Sequence, residues 1–143
     1  MRTLKDLIAD QRLYFVKPDM TVLQAATYMD IHNIGALPVI SEKNNLSGII
    51  SERDIIRRCV VKSLDMSQTK VGDIMTKTVI VVESHDTPDY GLKIMKQENI
   101  RHLPVREGTE LLGMVSMRDL LVDILNEKEE KIEMLNFYIQ YSG

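Results

Sequence analysis

Residues 33–39, Asn-Ile-Gly-Ala-Leu-Pro-Val, return 66 positions later as residues 99–105, Asn-Ile-Arg-His-Leu-Pro-Val. The same offset sets Thr21 on Thr87 and Met29 on Met95. After the next turn, one residue shorter in the second copy, the offset becomes 65, and Gly48, Ser51, Arg53 and Asp54 fall on Gly113, Ser116, Arg118 and Asp119. Upstream, Leu4-Lys5-Asp6-Leu7-Ile8 echoes Val71-Gly72-Asp73-Ile74-Met75. A self-match at fixed spacing marks an internal duplication, each copy being one supersecondary unit. The polar stretch from Ser63 to Lys70 holds the boundary. The chain therefore divides into repeat 1 with its lead-in at 1–66, repeat 2 at 67–125, and a C-terminal helical extension at 126–143.

Within a copy, Tyr14 to Val16 and Val79 to Val82 read as short strands, since aromatic and β-branched residues suit a pleated surface. A helix follows each. Thr21 with Gln24 three residues on forms a capping-box pattern, and Thr87 caps the second helix with Pro88 in its first position. Val22, Ala25, Ala26 and Met29 share one face of the first helix, as Gly91, Leu92 and Met95 do in the second. Next come a strand ending in Leu-Pro-Val, a polar turn (42–45; 107–110) and a further strand, 46–50 or 111–115. A closing helix opens at Ser51 or Ser116. The order β-α-β-β-α, with apolar strands too short to be helices, predicts an α/β fold with a sheet covered by helices.

Composition narrows the function. The 143 residues are 44% hydrophobic, enough for a core without disulfides or metals. A net charge of −3, with Lys and Arg scattered among Asp and Glu, gives no general pull on a phosphate backbone, so no nucleic-acid role is expected. Cys59, the single cysteine, has no internal disulfide partner and reads as a helix flank in a reducing cytoplasm. No apolar signal core opens the sequence, and no apolar run approaches the roughly 20 residues of a membrane span. The expectation is a cytoplasmic protein with no membrane role.

The motifs Asn-Ile-x-x-Leu-Pro-Val, Gly-Ile-Ile-Ser-Glu-Arg-Asp at 48–54 and Gly-Met-Val-Ser-Met-Arg-Asp at 113–119 resemble those of the CBS-domain family, over roughly residues 4 to 125. Two such repeats resemble a Bateman module. The resemblance implies repeats related by a pseudo-two-fold axis, two clefts for adenosine-type ligands, and a homodimer. It implies a regulatory sensor of AMP, ADP, ATP or NAD, AMP foremost, that reports occupancy to a partner protein. Nothing in the sequence names that partner.

The chemistry of the proposed sites follows from the helix openings. Unpaired amides and the positive dipole end of a helix receive phosphate, with the Ser51 or Ser116 hydroxyl beside them. Asp54 and Asp119 can accept from the two hydroxyls of a ribose. Arg53 and Arg118 can offer a fork of donors to an anion, or point outward. Ser-x-x-Asp is equally a plain capping signature, and the two uses are compatible. The copies diverge at Gly35-Ala36 against Arg101-His102. In the resembling family an Arg-His pair at this place contacts ligand phosphates, while Gly35 and Ala36 leave room for a base or sugar. Left to themselves, Arg101 reads as a solvated strand-end charge and His102 as a satisfied, half-buried imidazole. Val16, Ile50, Ile80 and Val115 are placed to contact adenine, or are simply core.

No HExxH, CxxC or nucleophile-elbow pattern is present to activate water or serine, and His32 and His85 do not recur as a pair, so no enzyme is expected and no catalytic or metal-binding residue is assigned. After Asp119 the helical pattern runs on. Leu121, Leu125, Lys128, Ile132, Leu135 and Ile139 recur at alternating steps of four and three, a heptad seam with one polar break. Dimerisation is the preferred use of this stripe, a helix carrying solvated charge the other. An interaction or dimerisation module with vestigial ligand clefts is the alternative function.

Overall fold

A computed structural model describes residues 2–141, and the chain in it is of mixed α/β class with both copies of the repeat folded. Two compact units form, one spanning Arg12–Val81 and the other joining the residues up to Gln11 to those from Val82 onward.

In the first unit, helix α2 (Val22–His32) is followed by strands β1 (Ala36–Ile40) and β2 (Leu46–Ser51), which pair antiparallel with Leu37 opposite Ile50 and Val39 opposite Gly48. Thr21 and Gln24 make the expected reciprocal cap, 3.1 and 2.9 Å. The helix ends on Asn33, whose φ of 53° is left-handed, a conformation Asn tolerates. Helix α3 (Glu52–Ile55) is a single turn that widens into a π-helical turn at Ile56–Val60, and helix α4 (Val71–Ile74) closes the unit. Cys59, read from the sequence as a helix flank, is fully buried in that π turn. There it joins Val16, Val22, Met29, Leu37, Ile50 and Val71 in one apolar core.

The second unit repeats the plan. Helix α1 (Leu4–Ile8) stands where α4 stands in the first. Strand β3 (Val82–Glu83) pairs parallel with β4 (His102–Glu107), and β4 pairs antiparallel with β5 (Glu110–Ser116). Helix α5 (Pro88–Glu98) is capped by Thr87 and ends on left-handed Asn99, and α6 (Met117–Tyr141) runs for 25 residues. Leu4, Met95, Leu103, Val105 and Leu120 are wholly buried. At the start of α1 the Thr3 amide donates to Asp6 at 2.8 Å and holds that carboxyl below the usual carboxylate range.

One expectation needs correction. The strands read at 14–16 and 79–82 shrink to a single bridge at Val16 and to the two residues Val82 and Glu83. The repeated proline is the cause. In the parallel register of Val16 with Val39, the next pair back would need an amide from Pro38 to reach the carbonyl of Tyr14. In the register of Val82 with Val105, Ile80 would need one from Pro104. Proline has none to give. The lead-ins pack across the repeats. In sequence α1 opens repeat 1, yet it packs in the unit that carries repeat 2, its backbone amides at Leu4 and Lys5 donating to Asp86 and Ser84 at 2.8 and 3.0 Å. The compact units therefore cut the chain differently from the boundary at 66/67, because Leu4 and Ile8 are buried there.

Candidate functional site

Both Ser-x-x-Asp segments sit where a strand delivers the chain into a helix, as read from the sequence. Ser51 Oγ accepts the Asp54 amide at 3.1 Å while the Ser51 amide donates to Asp54 Oδ2 at 2.9 Å. Ser116 and Asp119 repeat both bonds at 3.1 and 2.9 Å. Each opening is thus a capping box. The strand ends beside them take the next amide, since Glu52 donates to the Gly35 carbonyl at 3.0 Å and Met117 to that of Arg101 at 2.8 Å. Of the amides expected to await a phosphate, only those of Arg53 and Arg118 are left without a partner among the described residues. One amide at each opening is thus unengaged, fewer than the motif implied.

The structure brings the predicted residues together in two sets. Gly35, Ala36, Ser51, Arg53 and Asp54 belong to the first unit, with Ala36 opposite Ser51 across the strand pair. Arg101, His102, Ser116, Arg118 and Asp119 belong to the second, with His102 opposite Ser116. Ala36 is buried and Gly35 half-buried. Arg101 and Arg118 are exposed, and His102 is half-buried. Three of the four residues proposed to touch adenine, Val16, Ile50 and Val115, are core with 1% exposure or less. Ile80 is half-buried.

The two openings differ in what surrounds the carboxylate. Asp54 is nearly enclosed, at 13% side-chain exposure; Thr76 Oγ1 donates to its Oδ1 at 3.2 Å and Arg58 Nε lies 4.0 Å away. Both oxygens are engaged by the fold. Asp119 is exposed, and its Oδ1 has no partner among the described residues. It lies on the wall of a concavity of about 350 Å³ within the second unit, the lower part of the range typical of small-molecule sites. Leu7, Ile8, Val115 and Val122 give this hollow apolar lining, and Arg2, Arg118, Gln11 and Asn126 give it polar lining. Asp123, one turn beyond Asp119, completes the wall. Arg2 Nη2 pairs with its Oδ1 at 2.8 Å, while its buried Oδ2 has no hydrogen-bond partner among the described residues.

Four of these residues escaped the sequence reading for a common reason: they depart from the repeat. Arg58 and Asp123 occupy the same repeat position with opposite charge, so the first copy neutralises its own aspartate while the second adds another. Thr76 and Gln11 play parallel parts by different means. The Thr76 backbone exchanges two hydrogen bonds with Ile49, at 2.8 and 3.0 Å. At the matching place the Gln11 side-chain amide exchanges two with Met114, at 2.9 and 3.0 Å. A carboxamide here replaces a peptide group. Among the described residues no cluster of three or more His, Cys, Asp or Glu could hold a metal ion, and no helix is long and apolar enough to cross a membrane.

The orphan oxygen of Asp123 costs stability, since a buried acceptor forfeits its bonds to water without replacement. Asp123→Leu is accordingly expected to raise stability to urea by about 1 kcal/mol, Arg2 being exposed enough to find water instead. A loss of stability of similar size would show that the Arg2 pair, and not the missing bond, dominates there.

Comparison with known proteins gives the following. The family model described as the CBS domain matches residues 4–61 and 71–126. A mitochondrial CBS domain-containing protein of Arabidopsis thaliana is 38% identical over 136 residues, 92% of this chain and 66% of that protein. The CBS domain-containing protein YhcV of Bacillus subtilis is 30% identical over 95% of each chain. Among solved structures, a CBS-domain containing protein from Agrobacterium tumefaciens superposes with a TM-score of 0.77 at 30% identity, covering 83% of this chain and 90% of that one.

Proposed function

Because the chain belongs to the CBS-domain family, with two repeats in tandem, we propose that it senses an adenine nucleotide and transmits occupancy, as a homodimer, to a partner protein. A tandem pair of this family is a regulatory, generally ligand-binding module; the nucleotide, the dimer and the signal are our reading. One observation carries it. An exposed aspartate with an uncommitted oxygen, Asp119, borders a hollow of nucleoside size lined by arginines and apolar side chains. In this reading Asp119 takes ribose hydroxyls and the Arg118 amide and guanidinium meet phosphate, with Arg101 and His102 near by in the same unit. Leu7, Ile8 and Val122 supply the apolar contact for the base, together with Val115 from the residues considered for it at the outset.

The ligand is placed at the second opening because the first is already spent. Asp54 serves Ser51, Thr76 and Arg58. That enclosure favours the alternative reading, a vestigial site, for the first repeat alone.

The test is a thermal and chemical unfolding panel with AMP, ADP, ATP, NAD and S-adenosylmethionine. A true ligand at a hundredfold excess over its Kd is expected to add about 2.7 kcal/mol. If none of the five shifts unfolding, the sensor proposal fails and an interaction module remains.

A further inference from the structure

Helix α6 outlasts the unit it belongs to. From Lys128 to Gln140 every residue is exposed, a stretch of roughly 20 Å at the rise of an α-helix. Along it Ile132, Leu135 and Ile139 form one stripe, each more than half exposed, continuing the line begun by Leu125. A stripe of this kind is stable in water only when something covers it.

Charge decides between the arrangements open to a second copy. All the charges of this stretch lie between Glu127 and Glu133, and none from Met134 to Tyr141. In a parallel pair each charged residue would meet its own copy, and Lys128, in the seam itself, would face Lys128. Lys131 already bridges Glu127 of its own helix at 3.7 Å and is not positioned to neutralise it. Lys128 has no ion pair among the described residues. Reversing one helix removes the conflict. With Ile132 of one copy layered on Leu135 of the other, Lys128 falls against Ile139, where its aliphatic stem covers apolar surface and its ammonium reaches water. The charged segment of each helix then lies along the uncharged segment of the other.

We infer that two copies associate through an antiparallel pairing of the distal half of α6, with Lys128 as the residue that sets the orientation. A single polar seam residue commonly selects the register of a coiled coil. The overlap is short, so association through it is reversible at low concentration. This deepens the homodimer reading above and rests on it.

The experiment uses the full chain with Ile132→Cys and Leu135→Cys made separately, oxidised alone and as a mixture, alongside sedimentation of the unmodified protein. Cys59 is buried, and the unmodified protein supplies the uncrosslinked control. The expected result is a dimer in sedimentation and a disulfide-linked dimer only in the mixture, where the thiol introduced at position 132 of one chain meets the thiol introduced at position 135 of another. Efficient crosslinking of each variant with itself would establish a dimer and overturn the antiparallel arrangement. A monomer in sedimentation with no crosslink in any sample would overturn both the arrangement and the homodimer reading. Circular dichroism of each variant confirms that the fold is kept, and Leu135→Lys is expected to abolish the dimer while leaving nucleotide-dependent unfolding unchanged.

Discussion

Asp119→Ala is expected to erase the nucleotide-dependent gain of about 2.7 kcal/mol at hundredfold excess over the wild-type Kd, whereas Asp54→Ala keeps that gain and lowers the baseline. The contrast follows from the bonds each carboxylate makes. Alanine at 119 removes one oxygen that accepts the Ser116 amide and one that has no protein partner. The intrinsic cost is that of an exposed cap, about 1 kcal/mol. Alanine at 54 removes the same cap from an enclosed site and leaves the part-buried Thr76 hydroxyl without its acceptor, while Arg58 keeps its bonds to the Ile74 and Met75 carbonyls. A loss of about 2 kcal/mol is expected there. Urea titrations of the two variants, with and without the ligand found in the panel, separate the cases. Persistence of the ligand effect in Asp119→Ala would move the site away from α6.

Gly48→Ala is expected to be the most damaging single-methyl addition, at about 3 kcal/mol, while Gly113→Ala costs about 1 kcal/mol. The two glycines hold the same place in the repeat. A Cβ on Gly48 would come within 2.7 Å of both the Met75 sulfur and the Thr76 carbonyl oxygen. That carbonyl accepts the Ile49 amide at 3.0 Å, so it cannot retreat without loosening the segment after α4 from β2. A Cβ on Gly113 meets the Gln11 Oε1 at 2.6 Å and the Ile8 Cδ1 at 3.2 Å, both ends of side chains that can move, Gln11 at the expense of its two exposed bonds to Met114. Equal unfolding midpoints for the two variants would mean that backbone and side-chain obstruction are equivalent here, and the account would be wrong.

Much of the fold was legible because the repeat supplied each signal twice. The caps at Thr21 and Thr87, the Leu-Pro-Val strands and the helix starts at Ser51 and Ser116 all stand where residue chemistry put them. The strand pairing before each first helix was misjudged, because the effect of Pro38 and Pro104 is felt on a neighbouring strand and not on their own. The site was half legible. Matching residues, Asp54 and Asp119, were found by symmetry, but their different availability depends on Arg58, Thr76 and Asp123, which break it. A reading that rewards recurrence sees the shared scaffold and passes over the substitutions that separate an occupied carboxylate from an open one. The wide turn at Ile56–Val60, which draws Cys59 inward, left no mark in the periodicity.

The crossed placement of α1 bears on how the protein is made. Residues 4–8 leave the ribosome some eighty positions ahead of β3 to α6, the elements that bury Leu4 and Ile8. The unit at 12–81 is contiguous and can close during translation, while the earliest helix waits, greasy and unsheltered, for the last segments to emerge. Tags or trims near Thr3 should therefore be felt first at the far end of the polypeptide, in the completion of the unit synthesised last.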